Sequence, residues 1–391
     1  MTTRNIPQRY SNAESGLTLV ELLIAMALGL LLVSATLGMV VATSRTTGTF
    51  DALSRTQETG RLALHILTRD ARMAGYRGCS YGDIKTLLNQ NAADYSNAIY
   101  DFGQVVFGWS EAQVSSIPAD VLPASFTRHY ARGDVVIVKN AAVPFGSALA
   151  APVERDDIAV QLAAAIDVPV GQLVFISDCR TGGGDLFQVT TDEQSPSPRL
   201  ERNQSYLDIG PGNVDPTIDD VQHRFRAFPQ SAELQLAQSN VYYVGFQEAA
   251  DGTLTGTSSL RRIRMGSRIS SVPPDEELVE GVYDLRAQYG VDLSRSSSTH
   301  EYRSADAIAA EEWDYVVSLR LGVLAYSSES APETVNDDTY TVPFDETLWD
   351  FHGPEVAADP EGTLGEERFV PPDRRVYRFF SNTVAFRNRL N

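Results

Sequence analysis

Glu14-Ser15-Gly16-Leu17-Thr18-Leu19-Val20-Glu21-Leu22-Leu23-Ile24-Ala25-Met26 decides how the rest of this chain is read. A polar leader from Met1 ends in Gly16, and an apolar run follows at once with a single acid, Glu21, near its start. A secretory signal peptide is cut after its apolar segment, behind small residues. Here the processing-like junction, Gly16–Leu17, precedes that segment, so cleavage would leave the apolar helix as the mature N-terminus. No charged residue occurs from Leu22 to Thr43. That run makes about 33 Å of helix at 1.5 Å per residue, enough to cross a bilayer core. An ionised acid beside such a run is costly unless it is paired or near the interface. Cleavage after Gly16 would create an α-amine at Leu17, one helical turn from Glu21.

Gly16, Leu17, Thr18 and Glu21, in that order ahead of a membrane-length helix, resemble the class III signal of type IV prepilins and pseudopilins. The resemblance implies cleavage between Gly16 and Leu17 by a prepilin peptidase, and N-methylation of Leu17. It also implies that Glu21 neutralises the N-terminal amine of a neighbouring subunit when helices pack into a filament. The plainer reading of Glu21 is an interfacial acid flanking an ordinary signal anchor. Leu17 stands where Phe is commoner, and the leader is longer than many.

At 391 residues, 43% of them hydrophobic, the chain is long enough for a sizeable core beyond the anchor. Charge is unevenly divided: residues 1–75 carry a net +2 and residues 76–391 a net −21. So acidic a body argues against direct nucleic-acid binding, which needs a basic face, and suits a soluble domain outside the cytoplasm. The cysteines are Cys79 and Cys179. In an oxidising compartment an even pair reads first as a disulfide, and the alternative is two unrelated buried thiols. A loop of that length would stabilise by roughly 4–5 kcal/mol in the chain-entropy account.

Past a weak helical stretch at Thr46-Thr47-Gly48-Thr49, residues 51–74 resume a helical pattern. Leu62, Ile66 and Met73, with Leu67 and Ala74 beside them, form an apolar stripe, and Arg55, Arg61, Arg69 and Arg72 take other faces. The stripe predicts where a globular body sits on the helix, which Gly75–Cys79 ends. Strands are expected at 134–139, 172–176, 186–190 and 241–246. Alternation at Tyr283, Leu285, Ala287 and Tyr289, and at Val317, Leu319, Leu321 and Val323, predicts strands buried on one face. Segments 191–220, 292–312 and 327–372 read as long surface loops. The expected fold class is α+β and pilin-like: a long N-terminal helix, half membrane anchor and half packed, with an antiparallel β-sheet domain. The expected divisions are a leader at 1–16, a membrane and filament-core half-helix at 17–43, an amphipathic half-helix at 44–75, and a β-rich periplasmic or extracellular body at 76–391.

Arg72-Met73-Ala74-Gly75-Tyr76-Arg77-Gly78-Cys79 resembles the helix end of the PilW family of type IV pilus minor pilins. Ser177-Asp178-Cys179, Phe187–Thr190, Glu277–Val282 and Tyr289–Asp292 are similar to it in order, as is the ending from Arg374 to Leu390. The resemblance implies a low-abundance subunit that primes pilus assembly or sits near the tip, and so serves adhesion and twitching motility. It implies residence in the inner membrane before assembly and in the pilus afterwards. Implied partners are other minor pilins, the major pilin, a large tip adhesin, the prepilin peptidase and the inner-membrane assembly platform. A pseudopilin at the tip of a type II secretion pseudopilus is the related alternative, and a membrane-anchored periplasmic enzyme the remote one. After Asp292, Leu293-Ser294-Arg295-Ser296-Ser297-Ser298 is too poor in carboxylates for an EF-hand loop, so no calcium is expected there.

No catalytic residue, cofactor or metal site is expected. His65, His129, His223, His300 and His352 lack metal-ligand or catalytic spacing, and there is no G-x-S-x-G elbow. Gly182-Gly183-Gly184 lacks the Lys-Ser/Thr of a phosphate loop and reads as a turn. Asp156-Asp157, Asp219-Asp220 and Asp275-Glu276-Glu277 read as solvated loops. Tyr242-Tyr243 and Trp313-Asp314-Tyr315 read as core aromatics at sheet edges. Arg261, Arg262 and Arg264 read as cover for an exposed strand face.

Overall fold

In a computed structural model the described residues are 18–80, 84–190, 197–203, 210–214, 225–266, 273–294, 299, 301–328, 356–357, 368–369, 373 and 375–386. The first element, α1 (Leu19–Arg72), is one helix of 54 residues. The chain divides into two compact units, one ending at Asp51 and one beginning at Ala52. The helix of the first unit exposes its apolar residues on every side, from Leu19 through Val41. It is long and apolar enough to cross a membrane.

The second unit holds the remaining elements. Its larger sheet runs β1 (Ile84–Thr86), β6 (Gly184–Gln188), β5 (Leu173–Ser177), β8 (Glu233–Glu248), β3 (Tyr130–Pro144), β2 (Val106–Trp109) in spatial order. Strand β9 (Leu254–Met265) also pairs with β8, and β10 (Asp275–Glu280) pairs with β9. All neighbours are antiparallel except β1 on β6. Strand β8 is the spine. Its first residues pair with β5, its later residues with β9, and β3 lies along its other edge. Both Tyr242 and Tyr243 sit fully buried on this strand, so they are central core rings and not edge aromatics.

A second antiparallel sheet runs β12 (Glu301–Arg303), β11 (Val282–Val291), β13 (Val316–Tyr326), β16 (Tyr377–Ala385). Strands β4 (Ala159–Ile166) and β7 (Ser197–Glu201) pair by themselves, as do β14 (Val356–Ala357) and β15 (Arg368–Phe369). Short helices α2 (Asn97–Tyr100), α3 (Glu111–Val114) and α4 (Ala124–His129) lie between β1 and β3 in sequence. The architecture is α+β, as the patterning predicts. All three expected loops hold some regular structure instead, in the third the β14–β15 pair. Residues 197–201 form β7, and 301–315 form β12 and two 3-10 turns that bury Ala305, Ile308 and Trp313.

The helix packs its own way. The buried residues of α1 are Ala52, Thr56, Gly60, Ala63, Leu64, Leu67, Thr68 and Ala71. Leu62 is 46% exposed and Ile66 only half buried, so the contact face is rotated from the large-residue stripe. The reason is steric. Small side chains let a strand approach the helix axis more closely than a leucine row would. At Gly60 an added Cβ would lie 2.1 Å from the Phe380 ring of β16. The main core joins α1 to both sheets, with Ala63, Leu67, Ala71, Tyr242, Val244, Leu285, Leu319 and Leu321 among its members.

Candidate functional site

The start of α1 is built by local chemistry. Thr18 precedes the first helical residue, and its backbone N–H and its hydroxyl donate to Glu21 Oε2 at 3.2 and 3.0 Å. The Glu21 N–H donates back to Thr18 Oγ1 at 3.3 Å. This is a capping box, in which two orphan donors of the first turn are satisfied reciprocally. The same Thr18 and Glu21 that belong to the prepilin-like signal also form the Thr-x-x-Glu pattern of a helix start. Gly16 and Leu17 lie outside the described residues.

Where α1 leaves the core, polar contacts hold it. Thr56 Oγ1 donates to Ala52 O at 2.8 Å and lies 3.5 Å from Val376 O. Asn382 Nδ2 donates to Thr68 Oγ1 at 3.2 Å. The Asp70 carboxylate accepts the Tyr242 hydroxyl and lies 3.4 Å from Arg262 Nη1. Burial, then the charge of Asp70, raises the Tyr242 phenol above its ordinary range, so it stays a donor. Beyond the helix, Cys79 and Cys179 are joined, with Sγ–Sγ 2.07 Å and Cα–Cα 4.7 Å. The bond ties the helix exit to the β5–β6 turn. There the Asp178 carboxylate accepts from Arg180 N–H and Thr181 Oγ1, and Gly182 takes a positive φ of 70°.

The arginines and acids expected on exposed surfaces are engaged with one another. On β10, Asp275 pairs with Arg261 at 3.1 Å and accepts the Tyr243 hydroxyl at 2.9 Å. Glu276 binds Arg262 at 2.8 Å and also pairs with Arg264. Asp275–Glu277 is therefore a paired strand and not a solvated loop, and Arg261 is buried. Periodicity could not show this, because the pairing depends on the β9–β10 register. His129 is buried between Glu248, 2.9 Å from Nε2, and Asp275, 3.3 Å from Nδ1. His65 is exposed on the helix, and His223, His300 and His352 lie outside the described residues.

A second cluster joins the sheets. Arg286 on β11 reaches Asp284 at 3.0 Å and Asp134 of β3 at 3.5 Å, and it pairs with Glu111 at 2.5 Å. The Asp134 carboxylate also accepts the N–H groups of Glu111 and Ala287 at 3.0 and 2.9 Å. Gly133, at φ +80°, allows the approach: a Cβ there would lie 2.3 Å from Asp284 Oδ1. Burial pushes Asp134 up to about 6 and Asp284 up to about 7, with Arg286 opposing both. These polar positions of β11 are covered, so the strand is buried on both faces and not on one. After it, Asp292 is buried and accepts from Ser294 Oγ at 2.9 Å, while 295–298 lie outside the described residues.

Residues 241–388 match the family described as Type IV Pilus-assembly protein W, and residues 11–37 match the prokaryotic N-terminal methylation motif. The first span runs from within β8 through the whole second sheet. The second covers the Gly16–Leu17 junction, the capping box and the apolar helix as far as Leu37. No curated protein and no solved structure matches the chain. Together the two matches support a PilW-type, type IV pilus-related pilin.

Proposed function

We propose that this pilus-related chain is a minor pilin, cut after Gly16 and methylated at Leu17, that primes pilus assembly or sits at the tip. The observation that carries the reading is the pairing of an apolar helix, exposed on all sides and started by Thr18 and Glu21, with a folded body carrying the pilus-assembly match. Such a helix needs a lipid or protein environment, and a filament of like helices supplies one. Glu21 has a local task and an intermolecular one in this account. Thr18 engages Oε2, and Oε1 has no partner among the described residues. Oε1 is the oxygen we assign to a neighbouring subunit's Leu17 ammonium. The acid then serves the helix start in the membrane and the helix contact in the filament.

In this reading the inner membrane holds the chain before assembly with its acidic body on the periplasmic side. The other minor pilins, the major pilin, the assembly platform and a tip adhesin are the partners. Deleting the gene and viewing surface pili by electron microscopy tests the role. Loss or shortening of pili, restored by the wild-type gene, is expected. Normal pilus number and length, together with a defect in exoprotein release, would replace this reading with that of a secretion pseudopilin.

A further inference from the structure

The geometry points to a cleft between α2 and β2, lined by Tyr95, Asn97, Gln104, Phe107, Trp109 and Asp120, as a binding site for a neutral sugar ring. The cavity measures about 410 Å³, within the size range of small-ligand sites. It belongs to the second unit and shares no residue with the processing junction or the helix, so it stands or falls apart from the pilin reading.

One wall is aromatic. Phe107 and Trp109 project from the same face of β2, with ring centroids 5.2 Å apart and planes at 73°. Tyr95 is held by stacking on Tyr100 at 5.8 Å. The wall formed by α2, on whose Tyr100 the Tyr95 ring stacks, is fixed through its backbone. Lys139, fully buried on β3, donates from Nζ to the carbonyls of Asn97 and Asp101, both at 2.8 Å. Ser239 Oγ of β8 donates to Ile99 O. These contacts fix the wall without using its side chains. Ser96 makes no side-chain cap bond, and the side chains of Asn97 and Asp120 have no partner among the described residues. Gln104 is 8% exposed, and its Oε1 is buried without a hydrogen-bond partner.

A cleft lined both by rings and by uncommitted amide, hydroxyl and carboxylate groups matches a particular ligand chemistry. A sugar ring presents C–H faces to aromatic rings and a girdle of hydroxyls, each donor and acceptor, to amides and carboxylates. The buried Gln104 amide gains most, since a lone buried polar atom is costly until it is paired. Asp120 and the chain's net charge of −19 disfavour an acidic sugar. An ammonium ligand could use the rings and Asp120. It would leave the Asn97, Gln104 and Ser96 groups unmet.

The test is saturation-transfer NMR on the full-length chain in phosphatidylglycerol nanodiscs. The probes are the methyl glycosides of glucose, galactose, mannose and N-acetylglucosamine, with choline and glucuronate as controls. At least one neutral glycoside should receive saturation at its ring C–H protons. Asn97→Ala and Asp120→Ala, both at exposed positions, should each weaken it about fivefold, and Trp109→Ala about tenfold or more. The melting midpoints of the first two variants should match wild type, so the result does not depend on whether Trp109→Ala folds. Binding of choline alone, binding of no neutral glycoside, or glycoside binding unchanged by Asn97→Ala and Asp120→Ala would each overturn the assignment.

Discussion

Gly60 lets the Phe380 ring of β16 sit close against the helix, and replacing it measures how much of the fold depends on that closeness. A Cβ at Gly60 would lie 2.1 Å from Phe380 Cδ2 and 2.2 Å from Cε2. Carbon contacts are comfortable near about 3.5 Å, so the ring or the strand must move by more than about 1 Å. Overpacking of this kind costs about 1–3 kcal/mol. Alanine recovers about 1 kcal/mol in helix propensity, and valine only a few tenths. Gly60→Ala should therefore be destabilised by about 0–2 kcal/mol, and Gly60→Val, whose two further methyl groups put it in the upper part of the overpacking range, by about 2–3 kcal/mol. Removing the ring removes the clash. Gly60→Val in a Phe380→Ala background should cost less than about 0.5 kcal/mol, a coupling near 2 kcal/mol. Urea unfolding of the full-length chain in detergent, followed by tryptophan fluorescence, gives these differences. If Gly60→Val is as stable as wild type, or costs the same in both backgrounds, the small-residue face does not set the helix–sheet distance.

Glu21→Ala should still insert in the membrane and be cut after Gly16, but be absent from sheared pili; a lost buried pair costs about 3–5 kcal/mol, and incorporation at wild-type levels would leave Glu21 with its capping task alone. Thr18→Val should remove the reciprocal cap, cost about 1 kcal/mol of helix-start stability, and raise amide exchange in the first turn while leaving incorporation intact. Natively exported protein should yield a Cys79–Cys179 linked peptide in non-reducing mass spectrometry, and two freely alkylated thiols would refute the bond. Burial raises Asp134 to about 6 and Asp284 to about 7, so the folded body holds protons that the unfolded chain releases. Their contribution is full below about pH 4 and is lost as pH rises through 6–7; thermal stability should fall from pH 5 to pH 8, less steeply in Asp284→Asn, and a rise over that window would contradict the cluster geometry.

What the sequence disclosed follows from where the physics is local. A charge-free run, a glycine before it and an acid within its first turn need no tertiary information, so the helix and its start were legible. The alternation in β11 and β13 was legible because each core-facing residue is apolar in its own right. The helix face was legible in part: Leu67 and Ala74 are buried as the stripe predicts, whereas Leu62 is exposed and the sheet packs on Ala63, Gly60 and Thr56. Closeness to Phe380 is a property of two segments far apart in the chain. The same holds for Arg262 on Asp70, for Asp134 on Arg286, and for the cleft, whose walls come from α2, β2 and the segment around Asp120. Their amides and rings look like ordinary surface and core residues until the topology brings them together.

The bond between Cys79 and Cys179 also has a mechanical meaning. Cys79 follows the end of α1 at Arg72, and Cys179 follows the end of β5 at Ser177. Tension entering along the helix therefore crosses the sulphurs and continues into the β5–β6 turn. It bypasses the whole stretch between the cysteines. That stretch contains α2, β2 and every one of the cleft residues from Tyr95 to Asp120. While the bond is intact, pulling on the helix cannot straighten the segment between the cysteines, whereas in a reduced chain the same pull would run through it.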